Sequence, residues 1–173
     1  MTKKKERILL CCISLVLLAA DQAIKHFIVK NVPQGYVYKR FFGDFLYICH
    51  ERNRGLAFSI GAGSGDFFRI LMFIVFPLVL IGFVSYMMLT DKFKLTFLQK
   101  IFASCVVGGG LGTLADRSFR FKTGVVDYIS VKFYGLFGFE RWPTFNLSDS
   151  LVVVFVIALA VSYIVIEFKK GKK

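Results

Sequence analysis

Histidine and cysteine are scarce in this chain of 173 residues. The two imidazoles are His26 and His50, and the four thiols are Cys11, Cys12, Cys49 and Cys105. No two cysteines are spaced C-x-x-C, and no set of four N/S ligands at zinc spacing is visible. No metal is expected, and any hydrolytic chemistry is expected to be metal-free and without cofactors. A disulfide framework is not expected either. Cys11, Cys12 and Cys105 lie in apolar runs, where a thiol is usually a small hydrophobe. Neither histidine lies in a nucleophile motif, so no Ser/His/Asp set can be ordered, and Lys25 lacks an obvious serine partner. Acids are also few, 11 against 23 Lys and Arg, for a net charge of +12.

Apolar residues are plentiful, at 56% of the chain with 21 Phe, and the mean hydropathy is +0.64. Charges make up 20% and cluster between long apolar runs. A disordered chain is excluded and a soluble globule is disfavoured. In a soluble protein +12 would suggest nucleic acid. In a membrane protein it reflects orientation and anionic lipid, so no nucleic-acid partner is expected.

A bilayer core of about 30 Å needs about 20 helical residues. Ile70 to Leu89 is an uncharged run of 20, interrupted only by Pro77, which membrane helices tolerate. Ile8–Ala20, Ile101–Ala115 and Leu151–Ile166 hold 13, 15 and 16 residues. Each reaches spanning length by taking in polar neighbours: Asp21 and Lys25, Lys100, and Asn146 with Asp149. Four spans are expected, at about 8–28, 68–89, 97–115 and 146–166, in one membrane domain. A cleavable signal is the rival reading of the first, from Lys3-Lys4-Lys5 and Ala19-Ala20. Against it, Ile24, Phe27 and Ile28 continue the apolar periodicity. No small residue precedes Cys11, so this is not a lipoprotein's own signal.

Orientation follows from Lys/Arg density. The N-terminus, the 90–100 loop and the tail hold 11 basic and 3 acidic residues. The loops at about 29–67 and 116–145, with the span ends that flank them, hold 12 and 8 over about three times the length. The positive-inside rule places both termini in the cytoplasm and the long loops outside. Asp21, Asp66, Asp116 and Asp149 then all mark outer span ends. Intramembrane acids are functional candidates by default, although one alone could simply mark a span end. Both loops are rich in aromatic and β-branched residues with glycine turns, as in Tyr36-Val37-Tyr38, Phe45-Leu46-Tyr47-Ile48 and Val125-Val126. They read as a small sheet on the membrane surface.

The carboxylates are the best chemical inventory. Two Asp held ~3 Å apart share one proton. One serves as base on a water while the other polarises a carbonyl. Asp149, at the first turn of the fourth span, has helix capping as its bland reading, and Asp127 a turn or strand end. Gly63-Ser64-Gly65-Asp66 fits the GxGD string of another intramembrane aspartyl protease class, but in a Gly-rich turn before a span.

Five motifs in order resemble those of lipoprotein signal peptidase (signal peptidase II). They are Asp21-Gln22-Ala23-Ile24-Lys25, Asn53-Arg54-Gly55-Leu56-Ala57-Phe58-Ser59, the run Gly108 to Arg117, Gly124-Val125-Val126-Asp127-Tyr128, and Phe145-Asn146-Leu147-Ser148-Asp149-Ser150. The resemblance implies a four-helix membrane protein with a small β-rich extracytoplasmic cradle, in the bacterial cytoplasmic membrane, with its active site near the outer face. It implies an aspartyl endopeptidase with Asp127 and Asp149 as dyad. Asp21, Lys25, Asn53, Gly108, Asp116, Arg117 and Asn146 would support the site or bind substrate. The implied partner is a prolipoprotein carrying diacylglyceryl-cysteine, cut before that cysteine, with membrane lipid around it and a monomeric enzyme. Thr113 stands where the family usually has Asn, and Ser148 where it has Ala. The stretch Lys132 to Trp142 is long for the second loop. Gly108 to Gly112 would let spans approach closely, leaving packing or substrate access as their role. From other classes, a four-span ion or solute transporter would tend to have broken helices or an internal repeat, and no repeat is seen. A membrane scaffold without chemistry would leave the ordered acids unexplained.

Overall fold

The computed structural model describes residues 2–55, 63 and 65–170. Four helices are long and apolar enough to cross a membrane: α1 (Lys3–Asn31), α2 (Asp66–Leu89), α3 (Phe97–Phe119) and α4 (Leu147–Lys170). Between α1 and α2 come β1 (Val37–Phe41) and β2 (Leu46–Asn53), and between α3 and α4 comes β3 (Val125–Val131). The expected architecture, four spanning helices with a small antiparallel sheet, is the one observed.

Local chemistry sets the helix starts. At α1 the Thr2 hydroxyl accepts the Lys5 N–H. At α3 Thr96 and Gln99 form a reciprocal capping box, each side chain accepting the other's backbone N–H. Pro77 has no N–H to give and its ring crowds the carbonyl four residues back. That carbonyl belongs to Phe73, inside a widened π-helical turn over Leu71–Val75 that absorbs the misfit without ending α2.

α3 is the central helix. Half of its most apolar stretch is buried, against 22% for α1, 11% for α2 and 6% for α4. Apolar side chains gain little by leaving lipid for protein, so close packing and polar contacts must hold such helices together. Successive residues of an α-helix are about 100° apart, and Gly108, Gly109 and Gly110 use this to face three neighbours. A Cβ on Gly108 would lie 2.9 Å from the Ser14 carbonyl oxygen of α1. On Gly109 it would lie 2.7 Å from the Ser148 carbonyl oxygen of α4, and on Gly110 2.8 Å from Ile81 of α2. The glycine run is therefore helix packing. Hydrogen bonds add to it, from the Ser14 hydroxyl to the Ser104 carbonyl at 2.8 Å and from the Gln99 amide to the Ser162 hydroxyl at 3.2 Å.

The sheet runs β1-β2-β3, antiparallel throughout. It packs on the last turns of α1 through Ile28, Val32, Val126 and Tyr128. Asn53 pairs with Val125, so β2 leaves the sheet where β3 enters it. Gly124 makes this join possible. Its φ is +91°, and a Cβ there would lie 2.6 Å from the Asn53 carbonyl oxygen. The stretch 132–142 folds back as a hairpin closed by Phe133 N–H to Glu140 O and Trp142 N–H to Val131 O. Its return covers the free edge of β3, with Ile129 opposite Phe145. At the opposite end of the bundle, Lys100 of α3 pairs with Glu6 at 2.8 Å and Asp91 at 3.0 Å.

Candidate active site

Asn146 joins the two aspartates. Its side-chain oxygen accepts the Asp149 N–H at 3.0 Å, and the Asp149 carboxylate accepts the Asn146 N–H at 3.1 Å. This is a capping box at the start of α4. The amide nitrogen of Asn146 then donates to Asp127 Oδ1 at 2.7 Å and to the Val126 carbonyl at 3.4 Å. Asp149 is thus a capping residue and also a neighbour of Asp127, so the bland reading and the functional one describe the same geometry.

Asp127 is 3% exposed on β3. Burial, and next the charge of Asp149, push its carboxyl up to about 7, while hydrogen bonds from Asn146 and Asn53 pull the other way. A carboxyl of that pKa holds or releases a proton near neutral pH, as acid–base work requires.

A fully buried ion cluster lies against this pair. Lys25 Nζ is 2.8 Å from Asp21 Oδ2 and 3.0 Å from Asp116 Oδ2, and all three side chains are 0% exposed. Gln22 donates to Asp21, to the Gly112 carbonyl and to Asp116, and Arg120 pairs with Asp116. Both carboxylates also accept from backbone. Asp21 Oδ1 accepts the N–H of Ser148 at 3.2 Å, and Asp116 Oδ2 accepts the N–H of Val126 at 3.3 Å. Ser148 precedes Asp149 and Val126 precedes Asp127. Each carboxylate of the cluster therefore holds the peptide just before one member of the pair, and Lys25 ties the two carboxylates together. Gly112 leaves the room: a Cβ there would lie 2.1 Å from Ser148 Oγ and 2.7 Å from Asp21 Oδ2.

Arg117 binds carbonyls of its own chain. Its guanidinium donates to Gly55 O and to Asn53 O, and stacks on the Phe73 ring at 4.9 Å. Asn53 in turn accepts the Gly55 N–H at 2.9 Å, a tight turn leaving β2. The rest of that motif, Leu56 to Ser59, and Ser64 of the GxGD string lie outside the described residues. Asp66 has an exposed side chain paired with Arg69 at 3.3 Å. The structure thus gathers Asp127, Asp149, Asn146 and Asn53 in one place, backed by Asp21, Lys25 and Asp116. Gly108 packs on α1 instead.

Arg120 and Gln22 escaped the sequence reasoning as members of the cluster. Arg120 is four residues after Asp116, a spacing that puts the two on one helix face, so that signal was available. Gln22 carried none beyond its place beside Asp21.

Comparison with known proteins bears on the fold and the family. Two solved bacterial membrane enzymes, both obtained by the in meso method, share the fold. One, at 2.3 Å resolution, is 24% identical with a TM-score of 0.74 over 94% of this chain and 90% of that one. The other, at 1.9 Å, is 25% identical with a TM-score of 0.69 over 88% and 90%. The class is therefore a multi-pass membrane protein with the fold of bacterial membrane enzymes. A family profile described as Signal peptidase (SPase) II matches residues 13–165. The lipoprotein signal peptidase of Borrelia hermsii (strain HS1 / DAH) is 42% identical over 139 residues, 80% of this chain and 79% of the relative. That of Borreliella burgdorferi (strain ZS7) is 39% identical over 141 residues, 82% and 81%. The chain belongs to the signal peptidase II family, a family of peptidases.

Proposed function

We propose that this chain is an aspartyl endopeptidase that removes signal peptides from diacylglyceryl-modified prolipoproteins, cutting just before the lipidated cysteine. The observation that carries the aspartyl assignment is the pair Asp127 and Asp149, brought from a strand and a helix and joined through Asn146. One proton serves the pair. Asp127, raised to about 7, keeps that proton near neutral pH and donates a hydrogen bond to the scissile carbonyl. Asp149 takes a proton from the attacking water. As the tetrahedral intermediate collapses, the leaving nitrogen is protonated and the pair returns to its starting state.

The setting supports a lipid-borne substrate. The pair lies where the sheet meets the bundle, and α2 and α4 are largely unburied and face lipid. A signal helix and two acyl chains could therefore approach sideways from the bilayer. The Lys/Arg distribution supports termini in the cytoplasm and the sheet on the outer face of the cytoplasmic membrane.

The test is Asp127→Asn and Asp149→Asn, singly, in purified protein, with cleavage of a lipidated prolipoprotein peptide followed by gel shift. Asn still accepts the neighbouring N–H groups but cannot share the proton. Acid–base contributions of ~10²–10⁴-fold predict a loss well beyond tenfold for each. Near wild-type cleavage by either variant would refute the pair.

A further inference from the structure

The sheet ends far from the active site in a cluster of exposed aromatic residues that the proposed chemistry does not use. Phe41 pairs with Leu46 and Leu46 with Val131, so the β1–β2 turn and the 132–142 hairpin leave the sheet at the same end. The two are bolted together. Lys132 N–H donates to the Phe45 carbonyl at 2.8 Å, Lys132 Nζ pairs with Asp44 at 2.5 Å, and Arg141 donates to the Asp44 carbonyl at 2.9 Å.

From this joined end project Phe42 at 83% exposure, Phe137 at 77%, Tyr134 at 68% and Leu136 at 57%. Phe42, Tyr134 and Phe137 also have φ of +53°, +52° and +54°, a region bulky L side chains avoid. The backbone thus adopts an unfavourable conformation at three aromatic residues that then point outward. A solvated hairpin tip gains nothing by that.

β1 runs from the outer flank of α1 to this end. Phe27 on the outside of α1 stacks edge-on with Tyr38 of β1 at 5.7 Å, and Phe42 lies just beyond β1. The rim is cationic. Lys39 and Arg40 lie over the Phe41 and Tyr47 rings, and Arg141 stacks on Tyr47 at 3.7 Å. Asp44 and Glu140 are the nearby acids, and both pair with Lys132. Aromatic tips with a cationic border match an anionic headgroup layer.

We propose that this end of the sheet is a second, non-spanning membrane contact. Phe42, Tyr134, Leu136 and Phe137 enter the headgroup region, and Lys39 and Arg40 bind anionic headgroups. The sheet then lies along the membrane instead of projecting from it. The proposal does not depend on the catalytic reading.

The single tryptophan makes the test clean. The full chain with Trp142→Phe and Phe137→Trp would be reconstituted in phosphatidylcholine vesicles with and without phosphatidylglycerol. Its melting temperature, unchanged from the parent, would show that it is folded. The expected emission is blue-shifted, loses most of its intensity to lipids brominated near the headgroup, and resists iodide. Brominated phosphatidylglycerol should quench several-fold better than brominated phosphatidylcholine, and Lys39→Gln with Arg40→Gln should abolish that difference. Emission quenched by iodide and indifferent to brominated lipid would overturn the proposal. So would protection from both quenchers, which would mean a protein partner or a second copy. Equal quenching by the two brominated lipids would overturn the headgroup assignment.

Discussion

Replacing Lys25 with methionine keeps most of the side-chain volume and deletes the charge. Asp21 and Asp116 would then face each other in a site from which water is excluded, with Arg120 reaching only Asp116. Removing one partner of a buried ion pair costs about 3–5 kcal/mol, because the other charge is left uncompensated. At about 2–4 °C per kcal/mol for a chain of this size, Lys25→Met should lower the melting temperature by about 6–20 °C. The fall has a specific remedy. Adding Asp21→Asn removes the orphaned charge and keeps an oxygen to accept the Ser148 N–H. Asp116 retains Arg120 and Gln22. The double variant should therefore regain about half of the loss, since the buried charge and not the hydrogen bond carries most of the penalty. The assay is thermal unfolding in detergent followed by Trp142 fluorescence, beside peptide cleavage. The single variant should also cleave more slowly, because the peptides before Asp127 and Asp149 lose their shared anchor. A single variant that melts with the parent, or a double variant no better than the single, would refute the coupling of the three charges.

Asp127→Asn should abolish cleavage and yet stabilise the protein. The folded-state pKa of about 7 lies above the usual 3.8, so the wild type loses stability as pH rises between these values. The melting-temperature gain of the variant should thus be small at pH 4 and full above pH 7. Asn146→Ala removes the α4 cap, worth about 0.5–2 kcal/mol. It also removes a hydrogen bond that lowers the Asp127 pKa, so any residual cleavage should show its pH profile moved upward. Gly112→Ala drives a methyl against Ser148 Oγ and Asp21, an overpacking that costs about 1–3 kcal/mol. Adding Ser148→Ala removes the nearer obstacle and should recover part of the melting temperature, whereas Ser148→Ala alone should change little.

The spans were legible because a bilayer core demands about 20 helical residues, which long apolar runs meet by taking in a few polar neighbours. The pairing of Asp21 with Lys25 was legible too, since i and i+4 share a helix face. Asp116 as the second ligand of Lys25 was not, because it comes from another helix 91 residues on, and spacing says nothing about such contacts. Arg117 illustrates another limit. Its forked donors suited either a carboxylate or a carbonyl, and only the fold brings Asn53 and Gly55 to it. The glycine run was ambiguous for a similar reason. Its three faces acquire meaning once α1, α2 and α4 are seen around α3.

The central place of α3 also bears on how the chain enters the bilayer. Its mean hydropathy in its best window, 1.3, is the lowest of the four helices, against 2.0 for α1 and 2.6 and 2.8 for α2 and α4. Lys100 and Asp116 each carry a charge that hydrocarbon would penalise. Each has a partner on α1, Glu6 for Lys100 and Lys25 for Asp116, and α1 is synthesised first. During biogenesis α3 is thus expected to insert beside α1, which already presents the opposite charges, instead of as an independent span.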